Sequence, residues 1–425
     1  MRDFGRILML NDHKNEPKLL GKGYDIRLYW TDAAWALGLC LYFGVCLELF
    51  YRMIVNYNDR YGSDMRYYAV TNVASGNSHD RFLGFLFQWL YDINKNTLEI
   101  NIYLALVIAL IVVANFAVMR FYIQHDGVYD KVPRYAVQAA SLIAPFVGPI
   151  FVPHIHEHYY LNTFGAFCWH SPTQQSMILF SLIATLCFLK MFLKYEEGIS
   201  PLWWILTMLM TSLSAFTKPS FYIGFALSIV ILFLIELFAG GADNIGKRFG
   251  RLFVMGCTML PAGVYMILLQ TMEFGESTIE DEEHHLVFGI KVLLQQKNVP
   301  VKFLFGMAFS IIVLAVNYKK IKESKYLLGV LIFLTGAMQW AFVTETGKRA
   351  NYGNFDWGKE YGSYFLAVIC LALLIENICD KESVFAGDKK KRTVYFIIIG
   401  IVLALSVLSQ MRYFNLILTG HGYRR

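Results

Sequence analysis

One carboxylate in this chain stands where it could work at a membrane surface. Asp64 lies in the segment from Asn58 to Tyr68, a polar and aromatic stretch directly after the first apolar run, with Ser63 and Arg66 beside it. A single carboxylate suits the removal of a proton from an acceptor hydroxyl when the group being displaced is a phosphate. So good a leaving group needs no general acid, unlike the paired carboxylates of glycoside hydrolysis. Negative charge then develops on the phosphate, which is met by cations or helix N-termini. The plainer alternative is that Asp64 caps a short helix or pairs with Arg66.

Cations and aromatic residues suited to such a reaction recur in three later places. Lys218 sits in Thr217-Lys218-Pro219-Ser220, a hairpin with almost no loop between two apolar runs. A lysine there either snorkels to lipid phosphate or binds the phosphate of a lipid-linked donor. The densest polar segment runs from Thr344 to Gly358, and its three glycines permit tight backbone paths. There Lys348 and Arg349 would clamp phosphate, Glu345 and Asn354 would bind hydroxyls, and Trp357 would pack on a sugar face; an ordinary solvated turn is the alternative. Trp169-His170-Ser171-Pro172 reads as a helix start: Ser171 and Gln174 make a capping box, with Pro172 at the first helical position. That puts His170 and Trp169 at a helix N-terminus, where they contact substrate or serve only the cap. Arg66 and Tyr68 stand beside the acid as further phosphate and sugar contacts.

Two clusters invite a metal. His154, His156 and His158 alternate and would share one face of an extended segment, so a divalent cation is a possible cofactor. The run from Glu280 to His285 reads more simply as a solvated acidic face. The seven cysteines form no Cys-x-x-Cys pair; six lie in or at the ends of apolar runs and read as small apolar residues in helices, and Cys168 alone falls in an outer loop.

The elements that must position these residues follow from composition. Of 425 residues 56% are hydrophobic and only 16% charged, against about a quarter charged in soluble domains. This excludes an ordinary soluble enzyme, and the net charge of +6 reads as membrane topology rather than nucleic-acid binding. Runs of about 20 apolar residues fall near 31–54, 100–120, 135–153, 174–193, 201–217, 219–239, 252–270, 302–317, 326–343, 361–378 and 393–411. The expected fold is therefore all-α and polytopic, with about eleven transmembrane helices. Most of the Lys and Arg fall on alternate connections, which places the N-terminus inside. Residues 1–30 form a basic inner segment and 31–425 one membrane domain. The outer loops, about 55–99, 154–173, 271–301 and 344–360, hold the polar motifs. Within the first, Asp80 to Tyr91 is too short to span and apolar enough to lie in the interface, with Ser78 or Asp80 as its cap. Glu48, in the outer half of the first span, is expected to face the protein interior or a cavity.

This arrangement resembles the GT-C superfamily of membrane glycosyltransferases, in its inside N-terminus, its span number, and its long first outer loop with an acid above the membrane and an amphipathic segment. Trp169-His170-Ser171-Pro172-Thr173, Lys218-Pro219-Ser220-Phe221 and the stretch from Glu345 to Trp357 are similar to signatures of a bacterial branch tied to surface polysaccharides. The resemblance implies a polyprenyl-phosphate-sugar donor, a glycan or lipid-linked glycan acceptor, inverting transfer at the outer face of a bacterial cytoplasmic membrane, and Asp64 as base. The first loop departs from the pattern in having no Asp-x-Asp pair, and no large soluble C-terminal domain is present. Other readings of the same loops are a repeat-unit polymerase, a lipid-linked-sugar transporter or flippase, and a non-catalytic scaffold.

Overall fold

Apolar backbone in lipid can satisfy its N–H and C=O groups only internally, so long apolar runs must coil into helices. The computed structural model describes residues 30–55, 64–66, 68, 82–94, 98–124, 132–153, 155, 164, 167–239, 244–275, 286–290, 297–345, 355–379, 385 and 387–419. Among these, nine helices are long and apolar enough to cross a membrane, and the chain is an integral multi-pass membrane protein.

In chain order the helices are α1 (Trp30–Val55), the single turn α2 (Asp64–Arg66), α3 (Phe82–Asn94), α4 (Leu98–Gln124) and α5 (Arg134–Ile143). Then come α6 (Pro172–Phe192), α7 (Pro201–Thr217), α8 (Ser220–Ala239), α9 (Ile245–Gly256) and α10 (Leu260–Gly275), the last two joined by a 3-10 turn into one membrane-length rod. The series ends with α11 (Val299–Val316), α12 (Ser324–Phe342), α13 (Asp356–Cys379) and α14 (Lys389–Leu418). One short antiparallel ribbon is added to the helices: Leu286–Phe288 (β1) pairs with Val343–Glu345 (β2).

Helix α13 is the axis of the bundle, buried along nearly its whole length, with α12, α4, α11 and α8 against it. Leu37, Leu41, Leu209, Val230 and Ile401 are exposed on the surrounding helices, as side chains facing lipid should be. Tails give no hydrophobic drive between helices, so packing rests on close fit and on polar contacts. Polar contacts lie along the helices, as between Ser228 and Thr335 at 2.8 Å and between Asn115 and Tyr364 at 2.8 Å, and also at the helix ends. At one end Asp32 pairs with Arg134 at 3.2 Å and accepts from Gln138 at 2.7 Å. At that same end Glu376 of α13 pairs with Lys320 and accepts from Tyr326, while Tyr122 of α4 donates to Lys325 O. The opposite end holds Asp64 and the start of α13, so α1 and α13 run in opposite directions.

Two expectations change. The stretch 135–153 is not one helix: α5 stops at Ile143, makes one 3-10 turn (Ala144–Phe146), and continues without helical structure from Val147. Pro145 and Pro149 lack the N–H a helix would use. The freed groups are taken up by α14: Ser406 accepts from Gly148 N at 2.9 Å and donates to Gly148 O, and Ser409 accepts from Phe151 N at 3.1 Å. The short run 201–217 is helical over the expected residues, as the 17-residue α7. Glu48 does not face the interior. Its side chain is 53% exposed and pairs with Arg52 one turn on, at 2.6 Å, near the end of α1. Such an exposed pair contributes about 1 kcal/mol or less, so Glu48→Gln is expected to leave the thermal midpoint and any activity close to those of the native chain.

The amphipathic segment after Asp80 is helical, as α3. Leu83 and Phe87 are buried while Phe85, Trp89 and Ile93 form an exposed aromatic and apolar stripe, the form of a helix lying in an interface. Ser78 and Asp80 lie outside the described residues.

Candidate functional site

Each part of the site is fixed by a local feature of the chain. Helix α7 ends at Thr217, and Lys218 turns to extended backbone (φ −158°, ψ 116°) before Pro219 opens α8. The lysine is thereby left at the apex of a hairpin rather than on a helix face. Helix α13 is brought against α12 and α8 by glycines. A Cβ on Gly336 would stand 2.5 Å from Gly358 O, and one on Gly362 would stand 2.7 Å from Phe333 Cα. Only hydrogen fits at these crossings. The close approach sets the first turn of α13, and with it Trp357, beside Lys218: Lys218 Nζ lies 3.3 Å from the centre of the Trp357 ring, a cation–π contact.

The start of α6 supplies the third part. Ser171 holds the N-cap position with Pro172 behind it, as expected, but its hydroxyl makes no capping bond to the backbone. It is given instead to the Asp64 carboxylate and lies 3.3 Å from Thr173 Oγ1. Gln174 does not close a capping box; its amide donates to Trp357 O at 3.5 Å. The polar side chains of this helix start are thus turned outward into the site.

Asp64, on the one-turn α2, completes the cluster, with buried Met65 anchoring the turn. The residue is partly open at its surface, yet enough protein surrounds the carboxyl for burial to raise its pKa. The Lys218 ammonium and the Ser171 hydrogen bond pull the other way without cancelling the rise. Cys168 lies among the same charges, within electrostatic reach of Glu360, Lys218, Asp64 and Lys359, and its buried thiol is pushed well above the usual range. It is therefore poorly reactive, since the thiolate is the nucleophile.

Of the residues expected from sequence, the structure brings together Asp64, Lys218 and Trp357, with Ser171 and Gln174. Arg66 and Tyr68 flank the acid, both partly buried, Tyr68 against the apolar core. His170 is buried, and its Nδ1 meets Tyr413 OH of α14 at 2.5 Å. Trp169 is fully buried against Phe146, Phe167 and Phe414. A ring covered on these sides cannot stack on a sugar, so Trp169 is corrected to a packing residue beneath the site. Glu345 belongs to β2. Lys348, Arg349 and Asn354 lie outside the described residues, as do His154, His156 and His158. Among the described residues no group of three or more His, Cys, Asp or Glu could hold a metal ion.

Sequence reading missed the pair next to Trp357. Lys359 and Glu360 are both buried, 3.3 Å apart, with the ammonium 4.6 Å from the Trp340 ring centre and 5.0 Å from that of Phe164. A Lys-Glu pair at the mouth of an apolar run reads as a solvated helix end; the signal that could have found it was the Gly358 and Gly362 spacing, which requires this turn to be buried. The assembled site holds the Asp64 carboxylate, the ammonium groups of Lys218 and Lys359 with Glu360 and Asp356 beside the latter, an indole and a helix start, all at one end of the bundle. It can accept a proton from a hydroxyl and balance charge on an anion. Compared with known proteins, the chain matches no family model and no curated protein.

Proposed function

We propose that the protein is an inverting glycosyltransferase that moves a monosaccharide from a polyprenyl-phosphate donor to a hydroxyl of a cell-surface or lipid-linked glycan. One observation carries the reading: a carboxylate held by a serine hydroxyl beside a lysine, at the end of a membrane bundle. Asp64 takes the proton of the acceptor hydroxyl as its oxygen bonds to the anomeric carbon. The bond to the donor phosphate breaks in the same displacement, which inverts the centre. Lys218 and the N-terminus of α6 balance the charge on the departing phosphate, and Trp357 forms one wall. Lys348 and Arg349 would add to the phosphate clamp, and Asn354 and Glu345 to sugar binding.

The same reading sets the topology. The broken segment after α5 and the short α7 count as crossings, giving eleven, with the basic end of the bundle in the cytoplasm and Asp64 on the outer face of a bacterial membrane. A repeat-unit polymerase would use the same base and clamp on a second lipid-linked glycan. The break at Val147–Pro153 favours a second reading, a lipid-linked-sugar transporter, because transporters bind at interrupted helices.

The test is sugar transfer by purified protein in lipid, with radiolabelled polyprenyl-phosphate hexose or N-acetylhexosamine and a cell-wall glycan acceptor. Turnover supports the enzyme; labelled donor crossing sealed vesicles without turnover supports the transporter. The pH dependence adds a signature. Burial raises the pKa of Asp64, so the ionised base fills only above the usual carboxylate range and the rate rises with pH through that raised value. Lys218 lowers it. Lys218→Met is therefore expected to move the acid limb to higher pH and to weaken donor binding by roughly 10–100-fold, as loss of a hydrogen bond to a charged group does. An unmoved limb and unchanged donor affinity would return Lys218 to lipid contact.

A further inference from the structure

Two amide side chains beside Trp357 are buried with hydrogen-bonding atoms unused. Gln339 of α12 is 5% exposed, and among the described residues neither its Oε1 nor its Nε2 has a partner. It lies against the first turn of α13: a Cβ on Gly358 would stand 2.7 Å from Gln339 Oε1 and 3.0 Å from Ser220 O, two residues beyond Lys218. Gln174 of α6 is fully buried; its Nε2 is used on Trp357 O, while its Oε1 has no partner among the described residues. The Trp357–Gly358 peptide thus lies against two amides with unmatched atoms, and the Lys218 ammonium lies on the Trp357 ring.

Buried polar atoms are nearly always hydrogen-bonded, and away from water each unmatched one is costly. Here the mismatch falls at the crossing of α8, α12 and α13, where glycine contacts leave little freedom to relieve it by rearrangement. A primary amide with both ends free offers a donor and an acceptor in one plane, the complement of two neighbouring hydroxyls on a ring. The Gln174 oxygen adds one acceptor. A phosphate would be matched by donors alone, and an acyl or prenyl chain would be worsened by all three atoms.

We infer that Gln339 and Gln174 form the subsite that reads the sugar of the donor, Gln339 bonding a vicinal pair of hydroxyls while Lys218 holds the phosphate. This rests on the glycosyl-transfer reading and adds to it a division of labour: the two amides at the Trp357–Gly358 peptide recognise the sugar, and Lys218 on the Trp357 ring recognises the phosphate.

The experiment compares three probes on protein in nanodiscs: polyprenyl phosphate without sugar, polyprenyl-phosphate hexose and polyprenyl-phosphate N-acetylhexosamine. The native protein is expected to hold at least one sugar-bearing lipid about tenfold or more tighter than the bare phosphate. Gln339→Leu should bring that ratio to about one with affinity for the bare phosphate unchanged. It should also raise the thermal midpoint of the ligand-free protein, because an unmatched amide is removed; Gln339→Met, of similar length, should repeat both effects. A merely structural glutamine would give the opposite shift in midpoint. Retention of the ratio in both variants, or a fall in their midpoint, overturns the subsite. Equal affinity of the native protein for bare and sugar-bearing lipid overturns the subsite alone, with Lys218 and Asp64 still testable by transfer. Binding of none of the three overturns the subsite and the glycosyl-transfer reading together.

Discussion

Asp64→Asn is expected to cut sugar transfer by about 10²–10⁴-fold, the range for loss of a positioned base, while leaving the protein folded and inserted. The substitution keeps the shape and an oxygen for the Ser171 hydroxyl, so only the charge and the proton acceptor go. Burial already disfavours that charge, and the thermal midpoint should hold or rise. Transfer rate and midpoint measured on the same preparation separate the outcomes. A near-native rate would move the base to Glu360 or Asp356, the carboxylates beside Lys359 at this end. A lost rate with a collapsed midpoint would make Asp64 structural.

The second large effect is expected at Gly336. A Cβ there would meet Gly358 O at 2.5 Å and Lys359 N at 3.0 Å, and both are backbone atoms of a helix that cannot swing aside. Gly336→Ala should therefore force α12 and α13 apart, at about 1–3 kcal/mol for overpacking. The separation also displaces Trp357 from Lys218, and a misplacement of about 1 Å can cost about 10²-fold in rate. Gly400→Ala, where nothing lies within 4 Å, is the control. It should be neutral or stabilising by up to about 1 kcal/mol. Equal effects of the two substitutions on midpoint and rate would refute the clamp.

How far these features were legible beforehand depended on what hydropathy can carry. Length and apolarity located every long helix, because lipid demands about 20 apolar residues wherever a chain crosses as helix. They could not show that 135–153 breaks, since an unwound segment buried in protein is as apolar as a helix; only Pro145 and Pro149 marked it. Nor could they show which way Glu48 points. Lipid and protein interior are alike apolar, so α1 carries little periodicity to orient it. Asp64, Lys218 and Trp357 were visible as polar residues at apolar boundaries, while their meeting was not, because it joins the ends of α1, α7 and α13 across the chain. Ser171 was recognised as an N-cap from local pattern, but its hydroxyl is used by Asp64, a partner more than a hundred residues away. Lys359 and Glu360 were hidden for the same reason: their burial depends on Gly358 and Gly362 of α13 meeting α12 at Gly336 and Phe333.

The interrupted segment after α5 has a consequence for how the chain is made. Its N–H groups at Gly148 and Phe151 are accepted by Ser406 and Ser409, 258 residues later. Until α14 has been synthesised and inserted, that stretch has no native partner for those groups, and unsatisfied backbone in hydrocarbon costs several kcal/mol per group. The emerging protein must keep it near the insertion machinery or near water through most of translation. Final closure of the bundle is thus coupled to the arrival of the last helix, and a nascent chain stopped before residue 389 should remain marked as unfinished to the cell's membrane quality control.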